Sequence, residues 1–351
     1  MNRKPTIKDV AQLAGVGPMT VSRLLNQSAH VSEEAAARVY SAVEKLGYRP
    51  NQMARALRGH KSSTIGIIVP YLYDPFFAMC AHALTNAARE NGYSVILTTS
   101  NENADTEYAE AQLMMHRQVD GLIVIPATSG RSRLSLPEFQ GVHIVAVDRP
   151  LQDRRFCCAL VENRAGVARA VEHLISAHGH KRIAFAGLND RIYTFQARFE
   201  GYNDAMQQAG LTPLPMLHCP TQEIASSTLR HALCGAQAPT AIFTGNGLTT
   251  RYALKALLDA GIRVPADLAL VAFDDFDMAE GLEPRLSVVR QPAQELGRAA
   301  ANLLFDRLNS KELPRQGTRI VLPVEWVPRN SCGCRASVPV QLSQESLSKA
   351  V

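Results

Sequence analysis

Two groups of residues in this chain have the types and spacing to do chemistry. The first is a concentration of charge. Within residues 1–60, nine basic side chains (Arg3, Lys4, Lys8, Arg23, Arg38, Lys45, Arg49, Arg55, Arg58) face four acids (Asp9, Glu33, Glu34, Glu44), so this segment carries the whole net charge of +5. A small basic module beside a balanced body suits a polyanion. The second group is a set of polar residues just after apolar runs. Asp74 follows 65–69, Asp148 and Arg149 follow 143–147, Asn246 follows 241–244, and Asp274 follows 268–272. A carboxylate can accept from two vicinal hydroxyls and an amide can both donate and accept. Leaving such groups unpaired would reject ligands that lack those hydroxyls.

Signals for covalent or metal chemistry are poor. His178-Gly179-His180 belongs to a helix-to-strand turn, and Cys157-Cys158 and Cys332-Gly333-Cys334 lack two further ligands at zinc spacing. No metal and no cofactor is expected. The sequence has no Walker loop, no Gly-x-Gly-x-x-Gly and no Gly-x-Ser-x-Gly.

These residues need elements to position them. In the basic segment, Thr6 and Asp9 form the pattern of a capping box ahead of Ile7, Val10, Ala11 and Ala14 at helical spacing, and Gly15 stops the helix. Gly17-Pro18 starts a second helix with Val21, Leu24 and Leu25 inward, ended by Asn26. A third starts at Ser32, with Glu33 and Glu34 on its N-terminal dipole, buries Ala36, Val39, Val43 and Leu46, and ends at Gly47. Two short helices joined by a tight turn and followed by a longer one is the helix-turn-helix plan. An ordinary three-helix bundle is the competing reading.

The string TIKDVAQLAGVGPMTVSRLLNQSAHVSEEAAARVYSAVEKLGYRPN resembles the headpiece of the LacI/GalR family along its whole length, through DVA, AGV, TVSR, VS and LGY-x-PN. The resemblance implies that the second helix enters the major groove of double-stranded operator DNA, presenting Pro18, Met19, Ser22 and Arg23. Arg23 has the fork that pairs with guanine, Thr20 and Ser22 touch phosphates, and Thr6 and Asn26 join the DNA-binding set. Gly17 stands where the family usually has Ser, and Pro18 often replaces a polar residue. Residues 48–59 are similar to the family's hinge. Asn51 would cap a helix of about two turns, too short to hold alone in water, and Arg55 would sit beside the DNA. Leu57 matches the leucine that wedges between central base pairs.

From Ser62 the pattern changes to apolar strands (65–69, 94–98, 121–125, 143–147, then 182–186, 241–244, 268–272) alternating with helices such as 78–91 and 106–118. Two α/β halves in series imply two parallel sheets flanked by helices with a cleft between them, and ligands collect at the carboxyl ends of such strands. IGIIVPYLYDPFF, DGLIVIPA, VDRP, HLISAHGHKRIAFAG, RFEGY and VPADLALVAFDD extend the family resemblance over roughly residues 5–332. It implies a periplasmic-binding-protein-like core crossed by the chain near residues 160, 290 and 323. The expected division is 1–47 headpiece, 48–61 hinge, 62–335 core and 336–351 flexible tail. Lobe 1 takes about 62–160 and 291–323, and lobe 2 about 161–290 and 324–335. It also implies a homodimer and an effector (a sugar, sugar acid or related metabolite) held by Tyr73, Asp74, Phe76, Asp148, Arg149, Thr194, Arg198, Asn246, Asp274 and Gln291. Gly247 stands where the family commonly has an acid. Arg149, Arg191 and Arg198 together lean toward an anionic ligand.

Competing readings remain at each position. Asp274 and Asp275 fit loop caps, Arg198 fits a surface pair with Glu200, and Asp148 and Arg149 fit a pair with each other or across the lobes. For the whole chain the rivals are a sugar receptor with no DNA role and an enzyme on an α/β scaffold. No apolar run reaches the ~18 residues of a membrane helix, and Met1-Asn2-Arg3-Lys4-Pro5 has no apolar stretch behind it. Seven scattered cysteines are no disulfide framework. A reduced, cytoplasmic, ligand-controlled repressor is the expectation.

Overall fold

The computed structural model describes residues 5–25, 31–48, 62–128, 132–310 and 316–334, and divides into two compact units, Met1–Ser62 and Ser63–Val351. In the first, helices α1 (Ile7–Ala14), α2 (Pro18–Leu25) and α3 (Glu33–Leu46) follow local rules. The Thr6 N–H and hydroxyl both donate to the Asp9 carboxylate, at 2.6 and 2.7 Å. Gly15 ends α1 at φ +64, a left-handed conformation in which glycine has no Cβ to strain. The Ser32 hydroxyl accepts from Ala35 N–H and opens α3. Val10, Ala11, Ala14, Val21, Val39 and Ala42 form the core.

The buried stripe of α3 is Ala35, Val39 and Ala42 rather than Ala36, Val39, Val43 and Leu46. The alanines allow α1 and α3 to approach closely, and the larger Val43 and Leu46 pack at the flank.

The second unit holds two six-stranded sheets. Sheet one is ordered β11-β5-β4-β3-β1-β2, all parallel, from β1 (Thr64–Val69), β2 (Ser94–Thr99), β3 (Gly121–Val124), β4 (His143–Val147), β5 (Cys157–Val161) and β11 (Arg319–Leu322). Sheet two is ordered β12-β10-β9-β8-β6-β7, from β6 (Ile183–Gly187), β7 (Leu217–His218), β8 (Ala241–Thr244), β9 (Ala269–Phe273), β10 (Ser287–Arg290) and β12 (Glu325–Val327). Only β12 runs antiparallel to its neighbour. Most central strands are buried along their whole length, as their unbroken Val/Ile/Leu/Ala runs require.

Helices cover the sheets: α4 (Pro75–Glu90), α5 (Ala104–His116) and α10 (Ala293–Asn309) with sheet one, and α6 (Asn163–Ser176), α7 (Tyr193–Gln208), α8 (Gln222–Leu233) and α9 (Gly247–Asp259) with sheet two. The chain therefore passes between lobes after β5, after β10 and between β11 and β12. Because the strands are parallel, each lobe turns one row of strand ends toward the loops that carry the polar residues. No helix among the described residues is long and apolar enough to cross a membrane.

Candidate functional site

The cleft is built from equivalent positions of the two sheets. Asp148 follows β4 and Asp274 follows β9, and each donates its backbone N–H to the next strand, to Ala159 O at 2.9 Å and to Val289 O at 3.0 Å. Both aspartates have positive φ, +65 and +80. Strained backbone of this kind persists where surrounding structure enforces it, and it clusters at binding sites.

Arg198 of α7 lies between these strand ends. Its Nε donates to Asn163 Oδ1 at 2.7 Å and one terminal nitrogen to Gly245 O at 2.7 Å, with the guanidinium 3.7 Å above the Phe273 ring. This is a buried, oriented cation; the surface pair with Glu200 is not made. Arg149 is also buried, but it is committed elsewhere. It grips Glu102 through two nitrogens at 2.6 and 2.7 Å and donates to Pro126 O, while its Nε lies 3.4 Å from Asp148.

Asp274 accepts from Gly247 N–H at 3.1 Å and from the Gln291 amide at 2.5 Å, so it bridges two loops rather than capping the one that follows. Asp275 does accept from Phe276 N–H, and it is also ion-paired to Arg290 and Arg329. Asp74 caps α4 through Phe76 N–H at 3.0 Å. Burial, reinforced by the Asp274 charge, pushes the Asp74 carboxyl up to about 6. Burial also raises Asp148, against the pull of Arg149 and Arg198. Asp148 Oδ1, Gln291 Oε1 and Arg149 Nε are buried with no hydrogen-bond partner among the described residues.

The fold thus gathers Asp74, Asp148, Arg149, Arg198, Asp274 and Gln291 into one electrostatically coupled group. Thr194 is buried one turn before Arg198. Asn246 spends its side-chain oxygen capping α9, on Thr249 N–H and hydroxyl. Phe76 is buried edge-on to Phe77, and Tyr73 is 65% exposed, stacked on Tyr71. Of the three arginines weighed for an anionic ligand, Arg149 is ion-paired to Glu102, Arg191 is exposed, and Arg198 sits among aspartates. A cavity of about 950 Å³ lies beside these strand ends, where Pro75 and Met79 of lobe 1 face Asp275, Arg290 and Gln291.

Sequence reasoning missed Glu102, Asn163 and Phe273, which orient the two arginines. Their only sequence signal is a place at or just after the end of a strand. It also left Cys332 and Cys334 without ligand partners, and this is corrected: His173 and His178 lie at their sulfurs.

In the head, Pro18, Met19 and Arg23 are exposed, while Thr6, Thr20 and Ser22 are half-buried. The first turns of α2 therefore present an outward face above the Val21 core contact. Asn26, Asn51, Arg55 and Leu57 lie outside the described residues.

Residues 6–51 match the family model of bacterial regulatory proteins of the lacI family, and residues 171–332 match a periplasmic binding protein-like domain. The chain is 30% identical over 311 residues to the HTH-type transcriptional repressor PurR of Edwardsiella ictaluri, covering 87% of this chain and 91% of that protein. It is 31% identical over 317 residues to the ribose operon repressor of Escherichia coli K12, covering 89% and 95%. Among solved structures, a putative ribose operon repressor from Burkholderia thailandensis is 32% identical with a TM-score of 0.68 over 76% of this chain and 99% of that one. The lac repressor dimer bound to operator and the anti-inducer ONPF shares the fold, with a TM-score of 0.81 at 23% identity over 94% and 99%.

Proposed function

Since the chain belongs to the lacI family of bacterial regulatory proteins, we propose that it is a cytoplasmic, homodimeric repressor that reads double-stranded operator DNA through α2. A small neutral polyhydroxylated effector, a sugar, held between its lobes would control it. The observation that carries this reading is the convergence of Asp74, Asp148 and Asp274 around one oriented guanidinium, Arg198. Three carboxylates offer acceptors to vicinal hydroxyls, and Arg198 offers a donor to a ring or carbonyl oxygen. An acidic ligand would meet three carboxylates around Arg198, whereas a neutral one adds no charge to them. Full-length relatives are named as repressors rather than enzymes, and two of the similar proteins are named for a ribose operon, which makes ribose the first sugar to try.

In this reading residues 1–47 form the head, 48–61 the hinge, 62–335 the two lobes and 336–351 the tail. The effector shifts operator affinity only by binding the two states of the lobes unequally. The hinge transmits that shift, with Leu57 as its wedge.

A thermal-shift panel on the full-length protein tests the ligand class, using ribose and other neutral sugars, polyols, aldonates, uronates, sugar phosphates and purines. A ligand at a hundred times its Kd stabilises by about 2.7 kcal/mol, which such a panel resolves. A neutral sugar raises Tm, and Arg198→Lys, which keeps the charge but loses the fork, abolishes the rise. A response confined to acids overturns the ligand class. In the same protein Leu57→Ala weakens operator binding and leaves the effector response intact; equal operator affinity removes the hinge from the mechanism.

A further inference from the structure

Far from the cleft, the fold assembles four side chains that the regulatory reading does not use. The ring nitrogens of His173 and His178 and the sulfurs of Cys332 and Cys334 all lie within 4.8 Å of one another. Cys332 and Cys334 come from the segment after β12, and His173 and His178 from the end of α6 and the turn that follows it. Both cysteines are free of disulfides. We propose that these residues form a closed, tetrahedral Cys2His2 site for a zinc ion, which staples the segment after β12 to lobe 2.

The distances are those of a coordination shell. Zinc bonds of about 2.0–2.1 Å to nitrogen and 2.3 Å to sulfur give tetrahedral edges of roughly 3.4 Å for N–N and 3.6 Å for N–S. Here the two Nε2 atoms are 3.2 Å apart, Cys334 Sγ is 3.3 Å from each, and Cys332 Sγ is 3.8 Å from His173 Nε2. Hydrogen bonding alone accounts poorly for this. His173 Nε2 faces three of these atoms at once, and a ring nitrogen has one proton or one lone pair to give. A cation at the centre satisfies all four with lone pairs.

The surroundings suit a structural site. Cys332 is fully buried, Cys334, His173 and His178 are half-buried, and the Trp326 ring lies 5.2 Å from that of His173. Gly333, at φ +102, turns the chain so that sulfurs two residues apart face one point, and a Cβ there would stand 3.1 Å from the His178 ring. Two thiolates and two imidazoles favour zinc over the oxygen-seeking magnesium, calcium and manganese. With all four positions filled by protein, no place is left for a substrate. Asn163 at the start of α6 contacts Arg198, and His173 is ten residues further on, about 15 Å along the helix axis. The cluster therefore takes no part in holding the effector.

The test uses the full-length chain, reduced, stripped of metal with a chelator, and titrated with cobalt(II) and then zinc(II). The proposal expects one cobalt per chain with the intense visible bands of tetrahedral geometry and a thiolate-to-cobalt charge-transfer band. It also expects displacement of cobalt by zinc and a higher Tm with zinc bound. Cys334→Ser and His178→Asn should each weaken binding by roughly 100-fold or more, the upper end of what loss of an outer-shell partner costs. Cys234→Ser, exposed and outside the cluster, should bind as the native chain does. The variants are compared after far-UV circular dichroism shows the native fold. Should both unfold, the native chain decides, because bound cobalt without a thiolate band overturns the site. Folded variants that keep native affinity overturn it equally.

Discussion

Asp74 carries its charge in a place that resists it. Its carboxyl is pushed from an ordinary 3.8 to about 6, first by burial and then by the nearby Asp274. A folded-state pKa above the unfolded one gives stability that is complete at low pH and lost as pH rises through about 6. Asp74→Asn, which can still cap α4, should therefore stabilise the core by up to about 3 kcal/mol near pH 8 and by almost nothing near pH 4; urea melts at the two pH values read this directly. Glu102→Gln acts in the opposite sense. It strips the bidentate partner from buried Arg149 and should cost about 3 kcal/mol in the same assay. The polar residues after strands were legible in the sequence because parallel sheets gather ligands there. Glu102 and Asn163 were not, because they act on partners 47 and 35 residues away that only the fold brings near.

At the scale of elements, the described helices of the head, α1 to α3, share a small core, and units of this size have little stability to spare. Val39 of α3 is fully buried in the core that α3 shares with α1. Val39→Ala should cost about 2 kcal/mol and leave a cavity, lowering operator affinity while the effector-induced Tm shift of the core stays unchanged. Gel-shift titration alongside thermal melts separates the two effects. The helices of the head were legible from their caps and their 3.6-residue period, but the inward face of α3 was not. Pattern alone favours the bulky Val43 and Leu46, whereas close packing selects the small Ala35 and Ala42. Strands β11 and β12 were not legible because they lie at sheet edges and are partly exposed, and β12 also breaks the parallel rule.

For the whole molecule, the charge excess of the head lies on a body that is otherwise balanced. DNA affinity should therefore fall steeply and linearly on a log–log salt plot while effector affinity stays nearly flat; parallel slopes would place the effector on the same charges. Two-lobed architecture was legible because the strand–helix cycle restarts near residue 182. The Cys–His cluster was hidden by about 160 residues of intervening chain. The matched aspartates have a further consequence. Each sheet ends the third strand in its order with an aspartate on left-handed backbone, and Arg198 couples to both. Arg198 offsets the repulsion between the two aspartates, and burial raises the Asp148 carboxyl besides. On the proposed reading, a guest that donates hydroxyls to both aspartates would bridge the two sheets without adding charge.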